Sequence, residues 1–362
     1  MDPSFKFLSI LLSITIAACV FSNAEARDIG VNYGMLGDNL PTSSKVVSLC
    51  KLRNIDRLRL FDPDPRALRA LHGSGIEVVL GTLNQDLERL AGDQSAAAEW
   101  VAINVAPHAH GVHFRYITAG NEVIPGGLAH YVLPAMRNMD AALRAANFSV
   151  PVTTVVSTEV YTHVYCDNYD NYHCKLLTLL VQVLGASYPP SQGAFLSSVA
   201  MVMTPIVAFL RSNGYPILIN VYPYFAYASN PKSVPLPYAL FTAKRVVVQD
   251  GQLGYWNLFD AIVDAMYSAL EKSGGGNVKI VVSETGWPSG GGGNGATAQN
   301  ARTYNNNVVR HVRSRAGTPR RPWRGVEAYL FAMFNENTKP VGVEQNFGLY
   351  HPNMTEVYHI EF

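Results

Sequence analysis

The chain of 362 residues is 48% hydrophobic and 15% charged, too apolar for disorder and long enough to bury a large core. Its formal net charge is +1, and basic residues gather only between Arg313 and Arg324, among Pro322 and Trp323, where they read as a solvated loop. That excludes the wide positive surface a nucleic-acid partner requires.

Lys6, an apolar run from Phe7 to Phe21 and the triplet Ala24-Glu25-Ala26 have the layout of a secretory signal peptide over residues 1–26. The run is shorter than the roughly 20 residues that span a bilayer, so a soluble mature chain starting near Arg27 is expected, with no membrane partner. From there, short β-branched or aromatic runs recur. They are Ile29 to Tyr33, Asp56 to Phe61, Glu77 to Thr82, Phe114 to Gly120, Val152 to Ser157, Ile217 to Tyr222, Val278 to Ser283 and Ala328 to Phe334. Helical patterning fills most of the gaps: Ser43 to Arg53, Ala67 to His72, Ala96 to Ala109, Leu128 to Ala146, Val199 to Ser212, Leu258 to Lys272 and Ala298 to Arg313. Eight strands alternating with helices predict an α/β fold, a single (β/α)8 TIM barrel over 27–362, with its active site at the C-terminal strand ends.

Cys50 stands alone in a predicted helix, Cys19 lies in the signal segment, and only Cys166 and Cys174 are near enough for a local disulfide. No spacing suggests a metal site, and His72, His113 and His163 are scattered, so no metal or other cofactor is expected. Asn147-Phe148-Ser149 and Asn353-Met354-Thr355 are glycosylation sequons.

The fourth strand ends in Ala119-Gly120-Asn121-Glu122-Val123 and the seventh in Val282-Ser283-Glu284-Thr285-Gly286-Trp287-Pro288. Both place a glutamate at the barrel rim, facing one cavity. Two such carboxylates are what glycoside hydrolysis needs, one protonating the leaving oxygen while the other meets the anomeric carbon or activates water.

These two segments resemble the signatures of family 17 glycoside hydrolases, the plant endo-β-1,3-glucanases. The resemblance extends to Ile29-Gly30-Val31-Asn32-Tyr33-Gly34, Tyr188-Pro189-Pro190-Ser191, Asn220-Val221-Tyr222-Pro223-Tyr224-Phe225, Phe331-Ala332-Met333-Phe334-Asn335-Glu336-Asn337 and Phe347-Gly348-Leu349-Tyr350. It implies retaining endo-hydrolysis of β-1,3-glucan, with Glu284 as nucleophile and Glu122 as general acid/base. It further implies that Asn121 meets the sugar 2-hydroxyl, and that Glu336 and Lys339 lie near the pair, where a cation could lower the nucleophile's pKa. Tyr33 and Tyr222 are expected to face the cavity, while Phe225, Trp287 and Phe334 offer flat faces for sugar stacking or for packing. Hydrolysis of mixed β-1,3;1,4-glucan, or wall-glucan binding without turnover, are the alternatives.

One stretch departs from the family pattern. Val160 to Gln182 intervenes where Ser157-Thr158-Glu159 would join Val183-Leu184-Gly185 directly. It reads as a lid closed by Cys166 and Cys174, or as an intron translated in frame, since Val160 can be encoded from GT and Gln182 as CAG. The chain also stops soon after the family-like ending, without a binding module or apolar tail. A secreted monomer of the cell wall is expected, with the vacuole as the other destination.

Overall fold

A computed structural model of the chain describes residues 28–158 and 183–362. The expected signal segment, the segment 160–182, Cys19, Cys166, Cys174 and His163 lie outside the described residues. Eight parallel strands form the centre: β1 (Ile29–Asn32), β2 (Arg57–Leu60), β3 (Glu77–Gly81), β4 (His113–Asn121), β5 (Val152–Ser157), β6 (Ile217–Asn220), β7 (Ile280–Thr285) and β8 (Glu327–Leu330). They pair in chain order, and β8 pairs with β1 to close the ring. The architecture is the expected (β/α)8 barrel.

Strands enclosed on both faces are rich in β-branched residues, and β5, Val-Thr-Thr-Val-Val-Ser, is buried at every residue, its two threonines included. The surrounding helices are amphipathic and several are capped by the side chain just before them. Asn257 accepts from the Asp260 N–H ahead of Leu258–Lys272, and Thr297 accepts from Asn300 ahead of Ala298–Ser314.

Most expected elements are present with ends moved by a few residues. The sixth strand stops at Asn220 instead of Tyr222, because Pro223 opens a helix, Pro223–Ser229, for which its fixed φ is suited. The eighth stops at Leu330, and the helix expected from Ala96 to Ala109 spans Gln94–Asn104. Three antiparallel hairpins among the described residues, including Val248–Asp250 with Leu253–Tyr255 and Gly317–Thr318 with Arg321–Pro322, had no sequence forecast. No helix among the described residues is long and apolar enough to cross a membrane. Cys50 is a buried free thiol in the helix Ser43–Leu52, its pKa pushed by burial up to about 12.

The barrel interior is layered. Val79, Val155, Leu218, Val281 and Tyr329 form an apolar plug. Below it, toward the N-terminal strand ends, Arg57 and Arg115 are paired with Glu77 and Glu327. Above it lies the polar site. Side chains alternate along a strand, so β2, Arg-Leu-Arg-Leu, sends Arg57 to the lower layer and Arg59 to the upper, while Leu58 and Leu60 join the shell beneath the helices.

Candidate active site

Glu122 and Glu284 occupy the C-terminal rim at points where the ladder is irregular. The β4–β5 register shifts between Thr118 and Asn121, and the β6–β7 register shifts between Val282 and Glu284. Such bulges re-aim the following side chain. Gly120 has φ +81° and Glu122 itself φ +55°, a left-handed backbone uncommon for a residue with a Cβ. The Glu122 N–H still donates to the Val155 carbonyl at 3.0 Å, so the turn is anchored to β5.

Glu284 is buried and fully engaged. Its Oε1 accepts from Arg59 Nη1 at 2.6 Å and from Asn220 Nδ2 at 2.8 Å, and its Oε2 accepts from the Tyr222 hydroxyl at 2.8 Å. The same Asn220 amide nitrogen donates to Glu122 Oε1 at 2.9 Å. Because both oxygens lie within hydrogen-bond reach of one nitrogen, they cannot be farther apart than the sum of those two distances. For these two oxygens that limit lies below the about 6.5 Å at which inverting pairs begin and leaves room for the about 5–5.5 Å of retaining pairs.

The two carboxyls sit in different electrostatic surroundings. Burial, and then the charge of Glu284, push the Glu122 pKa up to about 7, against hydrogen bonds from Asn220 and Ser157 and the charge of Arg59. Glu284 instead has the guanidinium of Arg59 in direct contact. The two carboxyls are thus set apart, Glu122 by a raised pKa and Glu284 by a cation in direct contact, the kind of asymmetry two-carboxylate chemistry uses.

Arg59 organises the floor. Beyond Glu284 it donates to Asn121 Oδ1 at 2.8 Å and to Asn32 Oδ1 and the Ser283 carbonyl at 3.3 Å each, and it lies 4.5 Å from the Phe61 ring centroid. Ser283 Oγ donates to Asn220 Oδ1 at 2.8 Å, which turns the Asn220 amide nitrogen toward the glutamates. Sequence reasoning missed Arg59, Asn220, Ser157 and Ser283. The available signal was the period-two alternation that turns each of them into the barrel.

Other expected residues are distributed unevenly. Asn121 and Tyr222 are in the site. Phe225 is half-buried, edge-on to Tyr222 at 5.6 Å, and lines with it a cavity of about 950 Å³ that also touches Thr158, Leu184, Tyr188 and Val234. Trp287 and Phe334, expected to stack on sugar or to pack, are core residues, 0% and 2% exposed. Trp287 is enclosed by Tyr224, Tyr227 and Tyr304 and donates to the Gly295 carbonyl at 2.8 Å. Phe334 packs edge-on to Tyr33, which is also buried and hydrogen-bonded to Ser43, not to Glu284.

Glu336 accepts from the Leu36 N–H at 2.7 Å and pairs with Lys339 at 3.3 Å. Lys339 also lies 4.1 Å from the Phe331 ring centroid, and the cation in contact with Glu284 is Arg59, not Lys339. A further carboxyl near this group, Glu344, went unmarked in the sequence. Burial raises its pKa most, Lys339 opposes this, and Glu284 and Glu336 add to the rise.

Comparison with known proteins places these observations. The family described as Glycosyl hydrolases family 17 matches residues 29–178 and 175–362, two segments that meet inside the departing stretch. A Vitis vinifera glucan endo-1,3-beta-glucosidase is 46% identical over 98% of this chain and 96% of its own. A Hordeum vulgare protein bearing the same activity in its name is 54% identical over 94% and 98%. Among solved structures, one from a study of two plant beta-glucan endohydrolases with distinct substrate specificities has TM-score 0.83 at 46% identity, covering 92% of this chain and 100% of that one. A beta-1,3-glucanase and allergen of Cryptomeria japonica pollen has TM-score 0.84 at 42% identity, covering 93% and 99%.

Proposed function

The chain belongs to glycosyl hydrolases family 17, and we infer from this that it is a glucan endo-1,3-β-glucosidase working by retaining double displacement, with Glu284 as nucleophile and Glu122 as general acid/base. The observation that carries the role assignment is the Asn220 amide shared by both carboxyls, with Arg59 on Glu284 alone.

In the first step a Glu284 oxygen bonds to the anomeric carbon as the glycosidic C–O bond breaks, and the Glu122 proton passes to the departing oxygen. In the second, water attacks the same carbon, Glu122 takes its proton, and the ester to Glu284 breaks, which restores both groups with configuration retained. Asn121, with Oδ1 taken by Arg59, meets the 2-hydroxyl as a donor. Tyr222 holds the second Glu284 oxygen until it becomes the ester carbonyl.

Replacing Glu284 or Glu122 by Gln is expected to lower turnover on a linear β-1,3-glucan by about 10²-fold or more, with the fold retained by circular dichroism. Near-normal turnover of either variant would reverse the assignment. Parallel assays on mixed-linkage glucan measure linkage preference, and proton NMR of the first products reads retention. The substrate class and the residue 1–26 pattern support secretion to the wall space. The enzyme is read as a monomer without nucleic-acid or membrane partners, which light scattering and amino-terminal sequencing of the secreted protein test.

A further inference from the structure

The stretch just before β8 carries a feature the glucanase reading does not use. Trp323 is 85% exposed, and its φ is +63°. That left-handed conformation suits glycine and disfavours a residue with a Cβ. The backbone there is fixed, since the Trp323 N–H donates to the Ala316 carbonyl at 2.7 Å. A large indole therefore stands where the backbone resists it and where little packing compensates. Unexplained strain of this kind concentrates at binding sites.

Cations surround it. Arg315 lies beside Gly325, where an added Cβ would sit 3.4 Å from its Cγ, and its side chain is 56% exposed although paired with Asp28. Arg313 and Arg324 are exposed. Glu271 neutralises Arg320 and Arg321, whereas Arg324 has no acidic partner among the described residues. Lys279 is exposed just ahead of β7 and, by the pairing of Val281 with Glu327, stands level with Gly325.

We propose that Trp323, Arg324 and Arg315 form a binding site for a carboxylated polysaccharide, a chain of uronic acid sugars. The apolar C–H face of a pyranose fits an indole ring, and guanidinium forks match carboxylates in geometry and charge. The unpaired cations are too few for a phosphate backbone, whose binding strength grows with each phosphate neutralised. The site lies at the N-terminal end of β8, on the opposite face from Glu122 and Glu284, so a bound acidic chain leaves the cleft open. The enzyme is thereby held on an acidic matrix while it cuts neutral glucan elsewhere.

The test titrates the full chain with a galacturonic acid oligomer and with the same oligomer fully methyl-esterified, by calorimetry at low and physiological salt. The charged oligomer is expected to bind, more weakly as salt rises. Esterification, Trp323→Gly or Arg324→Gln should each weaken binding about tenfold, a difference near 1.4 kcal/mol. Hydrolysis of soluble β-1,3-glucan should stay unchanged, and Trp323→Gly should melt at the same or a higher temperature because glycine accepts the positive φ. Undiminished binding by Trp323→Gly, equal binding of the esterified chain, or no binding by the parent would overturn the proposal. So would a lowered melting point for Trp323→Gly, which would assign the indole a packing role, or equal affinity for short duplex DNA or anionic vesicles.

Discussion

Asn220 is the residue on which the two carboxyls depend jointly. Its single amide nitrogen serves Glu122 and Glu284 at once, and Ser283 Oγ fixes which way the amide points. Asn220→Ala removes a donor from both acids and, because that donor lowers the Glu122 pKa, should move the alkaline limb of the kcat profile upward from about 7. Parent activity is expected to fall above about pH 7, since a general acid must keep its proton and burial sustains it to that point. Ser283→Ala keeps the donor but frees the amide to flip, so its loss in kcat should be smaller, about tenfold for a hydrogen bond of this kind. Stopped assays across pH 4 to 9 measure both, and an unmoved limb in Asn220→Ala would mean that the amide does not tune Glu122. Glu122 and Glu284 were legible as carboxylates at strand ends, and Asn121 and Tyr222 through the family-like segments that hold them. Asn220, Arg59 and Ser283 were not, since a polar residue inside an apolar strand is recognisable as functional only once its facing is known.

At the scale of elements, the strands were legible from composition because parallel strands shielded on both faces are rich in β-branched and apolar residues, even where a strand such as β2 alternates Arg with Leu. Their ends were not, because local chemistry sets them: Pro223 begins a helix directly after Tyr222, and bulges extend β4 and β7 past the runs that mark them. The motif glycine after Glu284 shows what the bulge demands. A Cβ on Gly286 would stand 2.3 Å from the Phe331 carbonyl oxygen, a backbone atom of the adjoining chain that cannot rotate away. Gly286→Ala is therefore expected to cost about 1–3 kcal/mol of stability by forcing β7 from β8, and to reduce kcat by displacing Glu284. Chemical denaturation and steady-state kinetics on the same preparation test the pair of effects. Loss of stability with unchanged kcat would show that the bulge and Glu284 move independently.

Across the whole molecule, the barrel is closed at both ends by charge, the site above and the Arg57, Arg115, Glu77 and Glu327 layer below. Burial would raise the Glu77 pKa, but hydrogen bonds and charges from Arg57 and Arg115 outweigh it and hold the carboxyl below its ordinary value. A depressed folded pKa contributes stability above the unfolded value and loses it as pH falls through the folded one. Melting temperature should thus decline on acidification below about 4.5, the ordinary glutamate range, and less steeply for Glu77→Gln. An equal slope would move that contribution elsewhere. The same view of the molecule bears on Val160 to Gln182. The closed ring, both rim carboxyls and the hydrogen-bond partners named above are present among residues 28–158 and 183–362, and the family matches meet inside this stretch. In sequence its second half, Leu176 to Val181, is apolar apart from Thr178, and the eight strands of the described residues already pair into a closed ring. A chain lacking 160–182 is expected to melt at a higher temperature and to hydrolyse β-1,3-glucan at least as fast. Differential scanning calorimetry of the two forms decides the point. An equal or higher melting point for the longer chain would make the stretch an integral part of the enzyme, and sequencing of the mature transcript would then find it in the dominant message.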